Sequence, residues 1–500
     1  MEEEKLYLVS LDTDKIHSYI FATDKLKEIR GASAILNDLN NSQEVKQRVE
    51  GAGGLRCIYA AGGAAKAIFG DKDKAKKFIL EERALYENES ISATITGSIE
   101  ETAEDELIQS FGKVNERGEK KLRKNKESKC INSQLYQLPY SKICKSCGLY
   151  PVSKRIGDDF LCKSCEYKRN ISGRNILYNA FTQWLGNNPV SYWPVNIAYD
   201  NPEDIGDIGE ESDNYIGLIY CDGNRMGQKI QGINNEKEFS TFSLEISRIT
   251  KEEIFRAVAE NMKPIPKSGK NYYPFEFVLI GGDDVIVLVP GNRAIKVAHQ
   301  FCKNFHLSTI QKNMEVSISA GVVIAHSKFP LFRLFTFSDD LLKSAKKLSN
   351  RLYSNTPKEN ASVLDFALIT TSSTNELDYI RDKELSYEEG YVKLYQRPYR
   401  VLSSFPDSDD LTKLLLEVER FKQIPFPKNK LAQMYNSLFK GKGQAMYELL
   451  LLKARLKPKV REVLDNFSRE FNLDKFPWKD ENGEYSTPIL DLIEIYDFIE

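Results

Sequence analysis

The run Phe275-Glu-Phe-Val-Leu-Ile-Gly-Gly-Asp-Asp-Val-Ile-Val-Leu-Val-Pro290 is apolar at almost every position outside its glycine–acid centre. Two short β-prone runs around a glycine turn predict a hairpin. Upstream, Tyr215-Ile-Gly-Leu-Ile-Tyr-Cys-Asp222 reads as a strand that breaks at Gly223. The stretch 242–262 reads as a helix with Ile246, Ile249, Phe255, Val258 and Met262 on one face. Downstream come a helix near 292–306, a strand Glu315–Ala325 and a helix near 338–352. The order is βαββαβ plus a helix. It predicts a ferredoxin-like unit with its helices on one face of an antiparallel sheet. In that layout the first strand lies beside the hairpin turn, so Asp222 meets Asp283 and Asp284.

The N-terminal region repeats the order. Leu8-Val-Ser-Leu-Asp12-Thr-Asp14 parallels Leu218-Ile-Tyr-Cys-Asp222-Gly-Asn224. Likewise, Ile58-Tyr-Ala-Ala-Gly-Gly-Ala-Ala65 parallels the run through Leu279-Ile-Gly-Gly-Asp-Asp284. Aligned on the glycine pairs, Ala64 and Ala65 stand where the second copy has Asp283 and Asp284. The simplest account is a duplicated unit with one live and one silent site. Beyond about 400 the pattern turns helical: Leu411, Leu414, Leu415, Val418 and Phe421 share a face, then Leu431, Met434, Tyr435 and Leu438. Ile424-Pro-Phe-Pro-Lys428 breaks the two. The acidic, glycine-containing Asn201–Ser212 reads as a linker. The expected division is 1–125, a first ferredoxin-like unit; 126–212, a cysteine-rich region and linker; 213–370, the second unit; and 371–500, a helical C-terminal domain. The class is α+β.

Composition adds bounds. A length of 500 residues fits roughly three domains, and 41% hydrophobic content supports ordinary cores. The net charge of −2 excludes a global basic field that would draw in nucleic acid. Basic character is local. Lys113–Lys129 carries eight Lys/Arg against three Glu, and Lys453–Arg461 is also basic. Such runs read first as solvated helix faces and second as nucleic-acid or partner contacts. An apolar run near the ~18 residues of a membrane span is missing, as is a signal pattern. The expectation is a soluble cytoplasmic chain with no membrane partner.

Candidate chemistry sits in two places. Cys144-Lys-Ser-Cys147 and Cys162-Lys-Ser-Cys165 are near copies whose spacing suits a closed tetrahedral thiolate site for structural Zn²⁺. A cytoplasmic chain disfavours the rival pair of disulfides. Cys57, Cys130, Cys221 and Cys302 are scattered and read as core thiols. The second place is the acid cluster Asp222, Asp283 and Asp284. Hard carboxylate oxygens suit Mg²⁺ or Mn²⁺, and the glycines Gly281 and Gly282 let a phosphate or metal approach the backbone. This is what nucleotidyl transfer by two metal ions needs. The four histidines, His17, His299, His306 and His326, form no His-x-x-x-His pair and read as structural.

Together these pieces resemble the large polymerase-like, palm-domain subunit of type III CRISPR effector complexes. The residues that carry the resemblance are Ile29-Arg-Gly-Ala-Ser-Ala-Ile-Leu36, the two cysteine knuckles, Asp222-Gly-Asn-Arg-Met-Gly227, Gly281-Gly-Asp-Asp284, Ala325-His-Ser-Lys-Phe-Pro330, Ala345-Lys346 and Gln396-Arg-Pro-Tyr399. They fall in the family's order across nearly the whole chain: first palm, zinc-containing domain, second palm, helical domain. The resemblance implies a nucleotidyltransferase that makes cyclic oligoadenylate from ATP. It also implies activation by guide and target RNA within a multi-subunit complex. Under it Lys346 is a phosphate contact, Ser243 lies near a base, and Ser33 does the same for the first palm. That palm then holds an acceptor nucleotide through Gly62, Gly63 and Ser33. Family members often begin with a metal-dependent His-Asp nuclease domain. With so few histidines and a first palm that starts close to Met1, that domain is expected to be missing here. Three other readings stay open. They are a stand-alone signalling cyclase of the diguanylate-cyclase type, a template-copying polymerase, and a scaffold with an idle acid pair.

Overall fold

The computed structural model describes residues 5–129, 141–194, 197–267, 269–355, 357–370, 376–405, 410–424 and 426–499. Cys130 lies outside them. Among the described residues no helix is long and apolar enough to cross a membrane.

The N-terminal unit runs β1 (Leu6–Asp14), α1 (Leu26–Leu39), β2 (Arg56–Ala61), β3 (Ala64–Phe69), α2 (Lys72–Ser90) and β4 (Thr94–Thr102), followed by α3 (Phe111–Ser128). Its sheet is antiparallel with the order β2-β3-β1-β4. A short hairpin, β5 (Lys154–Ile156) and β6 (Asp159–Leu161), and the helix α4 (Lys163–Ile171) form the cysteine region. The second unit runs β7 (Tyr215–Gly223), α5 (Glu236–Asn261), β8 (Glu276–Gly281), β9 (Asp284–Pro290), α6 (Gly291–Gln311), β10 (Ile318–His326) and α7 (Leu331–Ser354). Its order, β8-β9-β7-β10, matches the first. Both are ferredoxin-like.

The expectation of helices on one face needs correcting. The crossover helices α5 and α6 cover one face of the second sheet, and α7 folds back over the other. The strands show why. Val285–Val289 of β9 and Ile318–Ala325 of β10 are buried at every position, not at alternate ones. A strand with two apolar faces needs cover on both. In the first unit α3 covers the second face in the same way, packing Phe111 and Val114 against Leu6, Leu8, Ile58 and Ile68.

Two more strands extend the second sheet. They are β11 (Ala361–Ile369), parallel to β10, and β12 (Tyr399–Ser403). The helical C-terminal region therefore begins at Asp410, later than the expected 371. It is also not purely helical. Ser386–Tyr387 and Val392–Lys393 join Lys479–Glu481 and Glu484–Ser486 in a small four-stranded sheet. These two- and three-residue ladders carry no period long enough to read in sequence. Helix α5 starts at Glu236, six residues before the apolar stripe suggested, because the Asn235 side chain caps it by accepting the Glu238 N–H at 2.9 Å.

The two units are bolted together. Arg30 on α1 donates from Nε to Glu276 of β8 at 3.0 Å, and both side chains are buried. The Tyr178 hydroxyl donates to the Phe275 carbonyl at 2.6 Å beside them. Removing one partner of such a buried pair costs about 3–5 kcal/mol. The cysteine region is tied to α1 and its approach. Arg169 donates to Glu28 at 2.7 Å, and the buried Lys168 donates from Nζ to the Tyr19 carbonyl at 2.6 Å.

Candidate active site

The acids converge as the strand order demands. Asp222 ends β7, and Asp283 and Asp284 lie at the β8–β9 turn. The Asp222 carboxylate is within hydrogen-bond reach of both the others. Lys346 on α7 ion-pairs with Asp222, each side chain being 28% exposed. Burial, with the Asp222 charge behind it, pushes Asp283 up to about 7 and Asp284 well above the ordinary carboxylate range. Gly223 makes room for this crowd: a Cβ there would lie 2.5 Å from Asp283 Oδ2. The next two residues are structural. Asn224 is buried and accepts from Ser319 Oγ at 2.8 Å. Arg225, at φ 54°, donates to Asn360 at 2.6 Å and lies over the Tyr353 ring.

Ladder register corrects the alignment of the two turns. Leu11 pairs with Ala65 as Cys221 pairs with Val285. Ala61 closes its turn on Ala64 as Gly281 does on Asp284. Both hairpins carry a matching irregularity, at Cys57/Tyr59 and Phe277/Leu279. Asp12 therefore matches Asp222, Gly62 matches Gly282, Gly63 matches Asp283, and Ala64 matches Asp284. Matching the glycine pairs as letters shifts the turn by one residue. Both loop positions of the first turn have positive φ, 62° and 84°, whereas in the second only Gly282 does, at 61°.

The two turns also touch. A Cβ on Gly281 would lie 2.9 Å from the Gly62 Cα, and one on Gly62 would lie 3.1 Å from the Gly281 carbonyl carbon. The silent turn is thus a wall of the acid site. Tyr59 of β2 adds to that wall. Its ring stands edge-on to Phe239 of α5 at 5.8 Å, and burial and Asp283 hold its phenol up. Tyr220 of β7 lies among the acids, its phenol raised by burial and by Asp284 and Asp222. His17, from the short helix Ile16–Ile20, packs on Tyr220 at 5.2 Å, and burial lowers its pKa. Sequence reading missed Tyr59 and Tyr220, since a lone tyrosine in an apolar strand carries no signal of what faces it.

The first unit repeats the aspartate–lysine pair. Lys126 of α3, the counterpart of α7, donates to Asp12 at 2.6 Å, and Lys129 to Asp14 at 2.5 Å. Thr94 and Thr96 also donate to Asp14, at 2.8 and 2.7 Å. Part of the basic run that read as a solvated helix face is therefore an internal counter-charge. Burial raises Asp12 despite Lys126; for Asp14 the bonds from Lys129 and the threonines overcome burial and lower it.

The remaining predicted residues divide. Ser243 lies one turn beyond Phe239 on α5, the helix that packs on Tyr59. Ser33 is not brought to Gly62 and Gly63. It is buried near Arg30, Asn37 and Glu276, at the far end of β8. Five residue steps along the strand separate Glu276 from Gly281, roughly 16 Å at ~3.3 Å per residue. In the cysteine region, the Sγ atoms of Cys144, Cys147, Cys162 and Cys165 all lie within 4.8 Å of one another. Tetrahedral Zn–S bonds of about 2.3 Å put sulfurs ~3.8 Å apart, and Cys147 and Cys162 are separated by 3.8 Å. The donor set fits Zn²⁺.

A family model described as Cas10/Cmr2, second palm domain, matches residues 215–353. None of the curated proteins matches the chain. Among solved structures the fold is similar to that of Csm1 in T. onnurineus, with TM-score 0.53 and 14% identity over 99% of this chain and 69% of that one. It is similar also to the Csm1-Csm4 cassette in complex with pppApApA, at 0.54 and 14% over 99% and 70%. The same cassette in complex with cA3 gives 0.51 and 14% over 100% and 70%.

Proposed function

We propose that this chain, a Cas10-like subunit built around a Cas10/Cmr2 second palm domain at 215–353, polymerises ATP into cyclic oligoadenylate as the RNA-activated subunit of a type III CRISPR complex. The observation that carries the reading is a charge imbalance: Asp222, Asp283 and Asp284 crowd together against the single ammonium of Lys346. Similar folds have been solved with pppApApA and with cA3 bound, which favours adenylate chemistry.

When bound, two Mg²⁺ or Mn²⁺ ions at these carboxylates would activate the attacking hydroxyl and stabilise the leaving pyrophosphate. The 3′-hydroxyl of one adenylate attacks the α-phosphorus of the next. The new P–O bond forms, the bond to the β-phosphate oxygen breaks, and the hydroxyl proton passes to solvent. Gly281 and Gly282 leave the triphosphate room to approach the backbone. Lys346, which ion-pairs with Asp222 here, would contact a phosphate oxygen of the bound triphosphate. The first palm, through Gly62, Gly63 and the Tyr59 wall, holds the acceptor side. Four cysteines, Cys144, Cys147, Cys162 and Cys165, hold a structural Zn²⁺.

The test is incubation of the chain, with its companion subunits, guide and target RNA, with ATP and Mg²⁺, products being read by mass spectrometry. Cyclic oligoadenylate that disappears in Asp283→Ala/Asp284→Ala supports the reading. Full activity without any RNA would move the assignment to a stand-alone cyclase. No product under any condition would leave a scaffold.

A further inference from the structure

Away from the acid site, a cavity of about 830 Å³ lies between α7, the Gln396–Arg400 segment and the small C-terminal sheet. Its charged lining has seven Lys/Arg against three Asp/Glu. Two guanidinium groups are held by carboxylates, one outside the lining and one, Asp410, within it. Arg381 donates to the buried Asp365 at 2.7 and 2.9 Å, and Arg400 to Asp410 at 2.6 Å. Lys347 and Arg351 differ. They are exposed, one turn apart on α7, and have no ion-pair partner among the described residues. The Tyr395 ring sits near Arg381, 5.2 Å away, and Arg397, 5.9 Å away. The Oε1 of Gln396 is buried with no hydrogen-bond donor.

We infer that this cavity binds a single-stranded phosphodiester chain. Paired arginines held in fixed orientation and two unpaired cations one helical turn apart recognise the backbone. An aromatic face and an unsatisfied amide oxygen suit a base. A volume of this size falls within the range of about 300–1,000 Å³ typical of small-ligand sites. The chemistry has two sources: a segment of RNA, or the oligonucleotide product itself. Lys346 and Lys347 are consecutive, so one turn of α7 faces the acid site on one side and this cavity on the other. The inference stands on its own observations and survives if the chain proves not to polymerise ATP.

The experiment uses the full chain carrying Asp283→Ala/Asp284→Ala, which silences the acid site, and follows the fluorescence anisotropy of a labelled ten-nucleotide oligoadenylate RNA across a salt series. Adding Lys347→Glu/Arg351→Glu should weaken binding at least tenfold. It should also lower the slope of log K against log salt by about 1.4, from two phosphate contacts at ~0.7 each. The control Lys76→Glu/Lys77→Glu, on exposed α2, should stay within twofold. Competition by cyclic tetra-adenylate assigns the product as the source, and competition by linear RNA alone assigns a strand; either supports the site. Unchanged binding in Lys347→Glu/Arg351→Glu, equal loss in the control, or equal competition by poly-glutamate would overturn it. Gln396→Ala, which leaves every ion pair intact, should cost threefold or more in affinity for the same probe; no change would remove the base contact from the proposal.

Discussion

The two palms share strand order, an aspartate at the end of the first strand, and a lysine that reaches it from the helix after the last strand. They part at the turn. In the first palm Asp12 and Asp14 face Lys126 and Lys129, two negative charges against two positive. In the second, Asp222, Asp283 and Asp284 face only Lys346 among the cations of the described residues. Partly buried carboxylates in excess raise one another's pKa or recruit cations. The comparison teaches that the first palm lacks the charge excess of the second as well as the two acids of its turn. The remaining acids must be neutralised internally, and α3 supplies the ammonium groups.

The sharpest way to break this comparison is to give the second palm the first palm's turn at the register-matched positions. Asp283→Gly/Asp284→Ala should lower cyclic oligoadenylate formation by at least about a thousandfold. Circular dichroism should show the fold intact, because the chain already builds that turn at Gly62–Ala64. Activity near that of the unmodified chain would mean the acids are misassigned. The lysines come next. Lys346→Ala should cost about 10–100-fold, much of it as a higher KM for ATP, whereas Lys126→Ala should change turnover less than about threefold. Equal effects would erase the distinction between the two sites.

Zinc removal should also separate the halves. Cys162→Ser/Cys165→Ser should speed hydrogen exchange in α1, braced by Arg169 through Glu28, and in the Ile16–Ile20 helix, braced by Lys168 through Tyr19, before it touches β8 and β9. Uniform loosening of both palms would show that the cysteine region is not a local brace. A smaller effect concerns pH. A carboxyl raised to about 7 in the folded protein binds protons that the unfolded chain releases near 4. Metal-free stability should therefore fall as pH rises from about 4 to 7. Above that window the Asp283→Gly/Asp284→Ala protein should melt a few degrees higher than the unmodified one in EDTA, and Mg²⁺ should reverse the order. Smallest is Tyr59→Phe, expected to cost two- to fivefold in turnover, since it removes one hydroxyl from the wall of the acid site.

Much of the site was legible because its signals are local. The Gly281–Asp284 run and the cysteine knuckles state their chemistry in a few consecutive residues, and the apolar strands fix which end of the sheet holds them. What was not legible depends on partners far apart in the chain. Lys126 looked like any lysine in a basic helix, and only the fold-back of α3 aims it at Asp12. Ser33 sits in a motif that read as nucleotide-binding, yet its neighbour Arg30 serves Glu276 across the palm boundary. The one-residue shift between the turns escaped for a related reason. Identical glycine letters occupy different ladder positions, and only hydrogen-bond register reveals it.

The backbone contact between Gly62 and Gly281 has a practical consequence for dissecting this protein. Neither half is a self-sufficient module. Residues 213–370 expressed alone would keep every acid and Lys346, but would present the Gly281–Gly282 backbone to water where a second polypeptide surface belongs. A fragment of that kind can bind metal and still fail to turn over. Conversely, a side chain added at Gly62 would press on the Gly281–Gly282 backbone of the acid turn. Searches for inactivating mutations should find them in the silent half too, with Gly62 among the positions.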